Sequence, residues 1–372
     1  MGLATSYNIR RQTDREVLVL DRYGIGNEYC SSNDVNRVFR YAYGNDELYT
    51  RMAVESLNLW HRFEKESGGK LLAETGLLLL KGDDKNANAF NEASYNTLAR
   101  MHLGAERISH EQLGKRFPQF RAEDAFLDPH GGVLLASKTL QTLRNLNAAK
   151  GVKLKNVQAQ KIVLGQNPHI VTSEGGTLEF RKLVMTIGPW SNQLLREELV
   201  SIRPTRQQII YFHLDNMTEF RPEKCPVFFS DKHYGLPAAG IDAVKVSPKE
   251  LPEIVDPETA KRFVDEQQVV EAREACRRFM PQVADTEVYQ TRVCLYDMTD
   301  NSDFVLDKDP ENSDIVYGYG FSGHGFKFAP LIGKLLAGLA LDLKPSINLE
   351  RFSVVPSKRR TPTLGAHLGK GE

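Results

Sequence analysis

Asp21 lies nineteen positions after Gly2, and that spacing limits what the start of this chain can be. Gly2 to about Arg11 reads as a short helix with small residues at Gly2, Ala4 and Ser6. Glu16-Val17-Leu18-Val19-Leu20-Asp21 follows, an apolar run that reads as a buried parallel strand closed by an acid. In a dinucleotide-binding βαβ unit, an acid about 20 residues past the glycine loop binds the ribose hydroxyls. The start therefore reads as the second half of such a unit, without its first strand and first two glycines.

The rest of the chain alternates. Asp46 to about Lys65 is predicted helical, with Leu48, Met52, Leu57, Trp60 and Phe63 mostly on one face. Ser137 is placed to cap a helix carrying Leu140, Leu143 and Leu146, with Gly151 after its end. Strands are expected at Val152–Lys155, Lys161–Leu164, Lys182–Ile187, Gln207–Leu214 and Asp314–Gly320, and helices at Pro257–Met280 and Lys327–Asp342. The basic stretch 356–372 reads as a loosely held tail.

Composition excludes several classes. At about 150 residues per domain, 372 residues suit two domains or one elaborated one. Lys+Arg and Asp+Glu both total 48, and this zero net charge argues against a nucleic-acid binder. No apolar run nears the roughly 18 residues of a membrane span, and the N-terminus lacks a signal-peptide pattern. Cys30, Cys225, Cys276 and Cys294 form no CxxC pair, so a reducing compartment is expected. Lys370-Gly371-Glu372 is not a peroxisomal address, and the expected location is cytoplasmic. No HExxH is present and His324 stands apart, so no metal is expected.

The chemistry-bearing residues stay ambiguous on spacing alone. Gly318-Tyr-Gly-Phe-Ser-Gly323 matches GxGxxG between a strand and a helix, but no βαβ unit follows it. It offers a helix N-terminus and close backbone approach, or simply a tight turn. Arg37 and Arg40 are spaced to share a helical face and clamp a carboxylate, or to form a solvated basic turn. Cys294, in the strand-like Thr291-Arg-Val-Cys-Leu-Tyr296, reads on its own as a small core residue rather than a reactive one.

Two segments about 30 residues apart resolve these alternatives by resemblance. Cys294-Leu-Tyr-Asp-Met-Thr-Asp-Asn-Ser-Asp-Phe-Val-Leu-Asp307 and Gly320-Phe-Ser-Gly-His-Gly-Phe-Lys327 resemble the flavin-dependent amine oxidases of the monomeric sarcosine oxidase and N-methyltryptophan oxidase family. Gly188-Pro-Trp190, Arg37-Val-Phe-Arg40 and Tyr234-Gly-Leu-Pro237 support it, so the likeness extends over almost the whole chain. It implies an α/β protein with a Rossmann-like FAD domain (1–72, 133–201, 299–372) and a mixed-sheet substrate domain (73–132, 202–298).

The same resemblance implies roles. Cys294 would carry FAD through an 8α-thioether. Arg40 and Lys327 would hold a substrate carboxylate. Lys245 would lie near flavin N5 and promote reaction with dioxygen. Tyr234 and Tyr296 would line the substrate cavity, and Arg37 would sit by the flavin ring. Gly2, Asp21, Gly188, Trp190, Gly320, Ser322, Gly323, His324 and Gly325 would contact the cofactor.

The implied activity is oxidation of the C–N bond of a secondary amino acid by a monomeric enzyme that forms hydrogen peroxide. A fructosyl amino acid or cyclic imino acid oxidase, a flavin dehydrogenase and a non-catalytic remnant are the alternatives. Two departures from the family stand out. The chain opens at the Met-Gly of the glycine loop, as expected for an internal methionine of a longer protein. Lys249 replaces an active-site histidine of sarcosine oxidase, which leaves the substrate open.

Overall fold

The computed structural model describes residues 1–248 and 253–355, so Lys249 and the basic tail lie outside the described residues. Its α-helices are α1 (Gly2–Gln12), α2 (Glu47–Ser67), α3 (Lys85–Arg100), α4 (His110–Arg116), α5 (Ala136–Ala149), α6 (Glu266–Phe279) and α7 (Ala329–Ala340). Asp46 starts α2 by accepting the Tyr49 N–H, and left-handed Gly68 stops it. Ser137 does not cap α5. It lies inside the helix, and its hydroxyl donates to the Asp34 carbonyl at 2.8 Å. The helix expected from Pro257 starts only at Glu266.

The nucleotide-side layer is built of short parallel pairs. Leu18–Asp21 runs parallel to Lys153–Asn156, and Leu183–Met185 runs parallel to Ile315–Tyr319. Helices α1, α2, α5 and α7 pack there around Leu3, Met52, Trp60, Leu143, Leu331 and Leu335. A Cβ on Gly333 of α7 would stand 2.6 Å from Ala4 of α1, so the bare glycine is what lets these helices touch. The strand at 18–21 is parallel but not buried as expected. Leu18 is 40% exposed, because the strand has a single partner among the described residues and its other edge faces a cavity.

The second layer is a nine-stranded mixed sheet. Its strands come from residues 77–128 and 203–298. Side chains on a strand alternate between faces, and residues directly opposite across a pair share one. Tyr211 faces Lys245, Tyr234 faces Ser247 and Phe229, Cys294 faces Gln207 and Tyr296 faces Thr205. One face therefore carries Tyr211, Lys245, Tyr234, Phe229, Cys294 and Tyr296 together. The opposite face carries Ile210, Phe212, Val244, Val246 and Phe228, packed with Ala272, Cys276 and Phe279 of α6. Burying that second face fixes the register, since a one-residue slip would exchange the faces.

Candidate active site

A cavity of about 980 Å³ opens between Leu18–Asp21 and Leu183–Met185. Gly2, Asp21, Arg37, Gly188, Trp190, Tyr296, Gly323 and Gly325 line it. The first turn of α1 presents backbone N–H groups there that no helical carbonyl can satisfy. A Cβ on Gly2 would lie 3.1 Å from Thr186 Oγ1, so the backbone edge is kept open by glycine. Burial raises the Asp21 carboxyl above its usual range, against the N–H groups of Tyr23 and Gly24. Glu258 accepts from Arg22 at 2.6 Å and from the Trp190 indole at 3.0 Å, tying the end of the first strand to the Gly188–Gln193 turn.

The loop after Ile315–Tyr319 closes the other end. A Cβ on Gly323 would meet the Tyr296 ring at 2.3 Å, and its φ of +75° is one that side chains disfavour. Gly320 and Ser322 do not line the cavity. The Ser322 hydroxyl donates to the Gly320 carbonyl at 3.1 Å and accepts the Thr299 N–H at 3.2 Å, so both residues shape the loop. Asp297, which spacing did not single out, does line the cavity. It is 3% exposed, and its Oδ2 has no hydrogen-bond partner among the described residues. Burial pushes its carboxyl up to about 6, against N–H groups of the Gly320–Ser322 loop. The Met1 amino group is buried nearby, and burial lowers it below its usual value.

Behind the cavity lies a buried layer. Lys245 Nζ donates to Asp34 Oδ2 at 2.6 Å and to the Asn36 carbonyl at 3.0 Å. Arg37 pairs with the same Asp34, and the Tyr211 hydroxyl donates to it. Burial works against the Arg37 charge, but Cys294, Tyr234, Tyr296 and Tyr211 around it hold its pKa above the ordinary value. Cys294 is buried in this layer and does not line the cavity.

Arg40 and Lys327 meet in a third place. Arg40 is 3% exposed, with its guanidinium 4.6 Å from the Tyr43 ring centre, 5.0 Å from Phe229 and 5.5 Å from Phe90 of α3. Lys327 Nζ lies 5.6 Å from the Tyr43 ring centre and donates to the His324 carbonyl at 3.0 Å. Burial, then Arg40, pushes the Lys327 ammonium well below its usual value. The N–H groups of Tyr41 and Ala42 donate to Asp128 Oδ2 at 2.7 and 3.2 Å, fixing the backbone that follows Arg40.

Two expectations need correction. Arg37 and Arg40 share no helical face, because Arg37–Phe39 is a strand paired with Gly132–Leu134. Neither lies in a solvated turn: Arg37 reaches the cavity, whereas Arg40 is buried beside Phe90 and Phe229. His324 is not at the cavity. Its ring sits among Tyr43, Tyr49, Phe304 and Phe328. Its Nε2 donates to the Ser302 carbonyl at 3.0 Å, so Nδ1 is the acceptor that faces the Tyr43 hydroxyl at 3.4 Å.

A glycine-edged helix start, an acid at a strand end and a long cavity against a mixed sheet define a dinucleotide-dependent oxidoreductase. The chain belongs to the FAD dependent oxidoreductase family, which matches residues 1–339. It is similar to peroxisomal sarcosine oxidase of Homo sapiens, 31% identical over 99% of this chain and 95% of that protein. It is also similar to monomeric sarcosine oxidase of Bacillus sp. (strain B-0618), 28% identical over 95% of this chain and 93% of that one. Among solved structures, NikD, an unusual amino acid oxidase essential for nikkomycin biosynthesis, shares the fold. Its TM-score is 0.82 at 23% identity, covering 95% of this chain and 94% of that one.

Proposed function

We propose that this FAD-dependent oxidoreductase oxidises the C–N bond of a secondary amino acid of the N-methyl type. The observation that carries this reading is the buried Arg40–Lys327 pair. Both reach the same Tyr43 ring from within the protein, and a guanidinium with an amine is a donor set suited to an anion. An amino acid's carboxylate suits that donor set and leaves its C–N bond free to turn toward the cofactor. The sarcosine oxidases among the relatives support the choice of substrate class.

The residues present fit FAD. The glycine-edged α1 start suits a pyrophosphate, Asp21 suits the ribose, and the cavity runs on to Arg37, Tyr296 and Asp297. FAD held there would carry two electrons from the amine to dioxygen, and the two protons the amine loses complete hydrogen peroxide and leave an imine. Water adds to the imine and releases an aldehyde and the primary amine.

Arg40 and Lys327 bind and orient the substrate, while Tyr234 and Tyr296 wall the space above the sheet. Lys245 supplies positive charge where dioxygen is reduced. Cys294, buried next to the cavity-lining Leu295 and Tyr296, would hold the flavin as an 8α-thioether: the S–H and one C–H of the 8α-methyl would break, with their two electrons and two protons going to dioxygen. Residues 73–132 and 202–298 form the substrate unit, since every strand of the nine-stranded sheet falls within them. A monomeric, cytoplasmic enzyme completes the reading.

The absorbance spectrum of purified protein before and after acid precipitation tests it. Yellow colour that stays in the pellet, and leaves it in Cys294→Ala, supports the covalent flavin. Colour lost to the supernatant of the unaltered protein overturns the link but keeps the flavoprotein. Peroxide release over N-methyl, cyclic and fructosyl amino acids then tests the substrate class.

A further inference from the structure

Asp34 belongs to none of the motifs, and the reaction as derived above makes no use of it. Its side chain is 1% exposed. Oδ2 accepts from Lys245 at 2.6 Å and from Arg37, while Oδ1 accepts from the Tyr211 hydroxyl and from the Val35 N–H at 2.8 Å. Its own carbonyl is held by the Ser137 hydroxyl of α5 at 2.8 Å. A side chain gripped at both oxygens and at its backbone has no freedom to move.

Lys245 is equally constrained. Its 1% exposed side chain has three N–H donors, of which Asp34 and the Asn36 carbonyl take two. Its charged and titratable neighbours are Asp34 and Arg37 on the Asp34–Phe39 segment, Tyr211 across the strand pair, and Cys294 on the next strand. Tyr234 and Arg292 act on Tyr211 from the same side. Burial and then Arg37 push the lysine well below its usual value and Cys294 opposes them, while a carboxylate 2.6 Å away, that of Asp34, favours the ammonium by its geometry. Without the Asp34 charge, a buried lysine beside a buried arginine sheds its proton.

We propose that Asp34 is the positioning residue for Lys245: its carboxylate fixes the lysine on the site-facing side of the sheet and keeps it an ammonium, ready to meet the negative charge of oxygen reduction. The inference rests on the reading of Lys245 as the oxygen-reacting lysine. It adds that one isosteric change, Asp34→Asn, converts a charge that is constant over neutral pH into one that titrates.

Two measurements test it on the holoenzyme. In the first, enzyme reduced anaerobically by light is mixed with dioxygen from pH 6 to 9. The unaltered enzyme is expected to reoxidise at a nearly constant rate. Asp34→Asn is expected to lose about ten-fold per pH unit above the variant lysine's pKa and to recover at low pH. Asp34→Glu, which keeps the charge, is expected to restore the flat profile. In the second, lysine Cε and Nζ resonances of labelled protein, assigned with Lys245→Met, report its charge directly. An ammonium in the unaltered protein and a free amine in Asp34→Asn at pH 8 support the proposal.

A lysine that remains charged in Asp34→Asn, or an equal rate loss at every pH, overturns it in favour of a merely structural ion pair. If Asp34→Asn does not fold, the unaltered protein decides: a free amine on Lys245 at pH 7 overturns the proposal and an ammonium supports it. If Lys245→Met reoxidises as fast as the unaltered enzyme, the oxygen role of Lys245 fails, and the resonances still report whether Asp34 holds its charge.

Discussion

The indole Nε1 of Trp60 donates to the backbone carbonyl of Lys327 at 2.8 Å. Trp60 is fully buried on α2, whose apolar face packs on the α7 core. A helix far from Lys327 in sequence therefore sets the backbone from which one of the two proposed carboxylate-binding side chains extends. Trp60→Phe keeps most of the packing and leaves the carbonyl buried without its donor. The expected cost is about 1–3 kcal/mol. The KM for the amino acid should rise more than kcat falls, read from urea unfolding and steady-state peroxide release.

Lys327 should make substrate binding sensitive to alkaline pH. Its lowered pKa means that it loses its proton below the usual lysine value, while Arg40 stays charged. KM should therefore rise with pH in a range where a surface lysine would not titrate. Lys327→Arg should flatten that rise, and Lys327→Met should raise KM roughly 10- to 100-fold at neutral pH, the loss of one charge-assisted hydrogen bond. A KM–pH profile of the three proteins checks this. A lysine favoured neutral in the fold also makes stability increase with pH through the same range.

Asp297 gives a stability signal of the opposite sign. Its folded pKa of about 6 lies above the ordinary 3.8, so between these values the folded state holds more protons than the unfolded one. Stability from this group is full below pH 3.8 and is lost as pH rises through 6. Two pH units correspond to about 3 kcal/mol. Asp297→Asn should be more stable than the unaltered protein at pH 7.5 and gain little at pH 4. Urea midpoints at the two pH values measure the difference.

Gly323→Ala should loosen the flavin. The new methyl would have to displace the Tyr296 ring, and the backbone would sit at φ +75°. Strain and overpacking together cost about 2–4 kcal/mol. The thermal midpoint should fall, and the ratio of flavin to protein absorbance should fall after gel filtration.

Local pattern made much of the fold legible. The extents of α1 and α2, the Gly151 stop and the Ile315–Tyr319 strand follow from periodicity and capping chemistry. Asp21 and Gly2 at the cavity were legible for the same reason, since a glycine and an acid at fixed distance are a local signature, whereas Gly188 and Gly325 came from the family resemblance. Spacing left the arginine pair between a shared helical face and a solvated turn, because residues three apart share a helix face but fall on opposite sides of a strand. Pairing with Gly132–Leu134, more than 90 residues on, decides which applies. Ser137 was misread because a serine before an apolar run looks like a cap, whereas its hydroxyl was taken by the carbonyl of Asp34.

By itself the sequence determined the kind of protein: a glycine start and an acid suited to a dinucleotide, set by short-range order, and the motifs whose resemblance implies an FAD-dependent amine oxidase. Only the tertiary structure decided which residues meet. Asp34 with Lys245, Trp60 with Lys327 and Asp128 with the Arg40 segment are contacts between residues 211, 267 and 87 positions apart. An aspartate in a turn or a tryptophan on an apolar helix face has the same local pattern whether or not it serves such a contact. Its partner is fixed when the sheet register and helix packing bury both, since burial makes an unpaired polar group costly and a paired one stable.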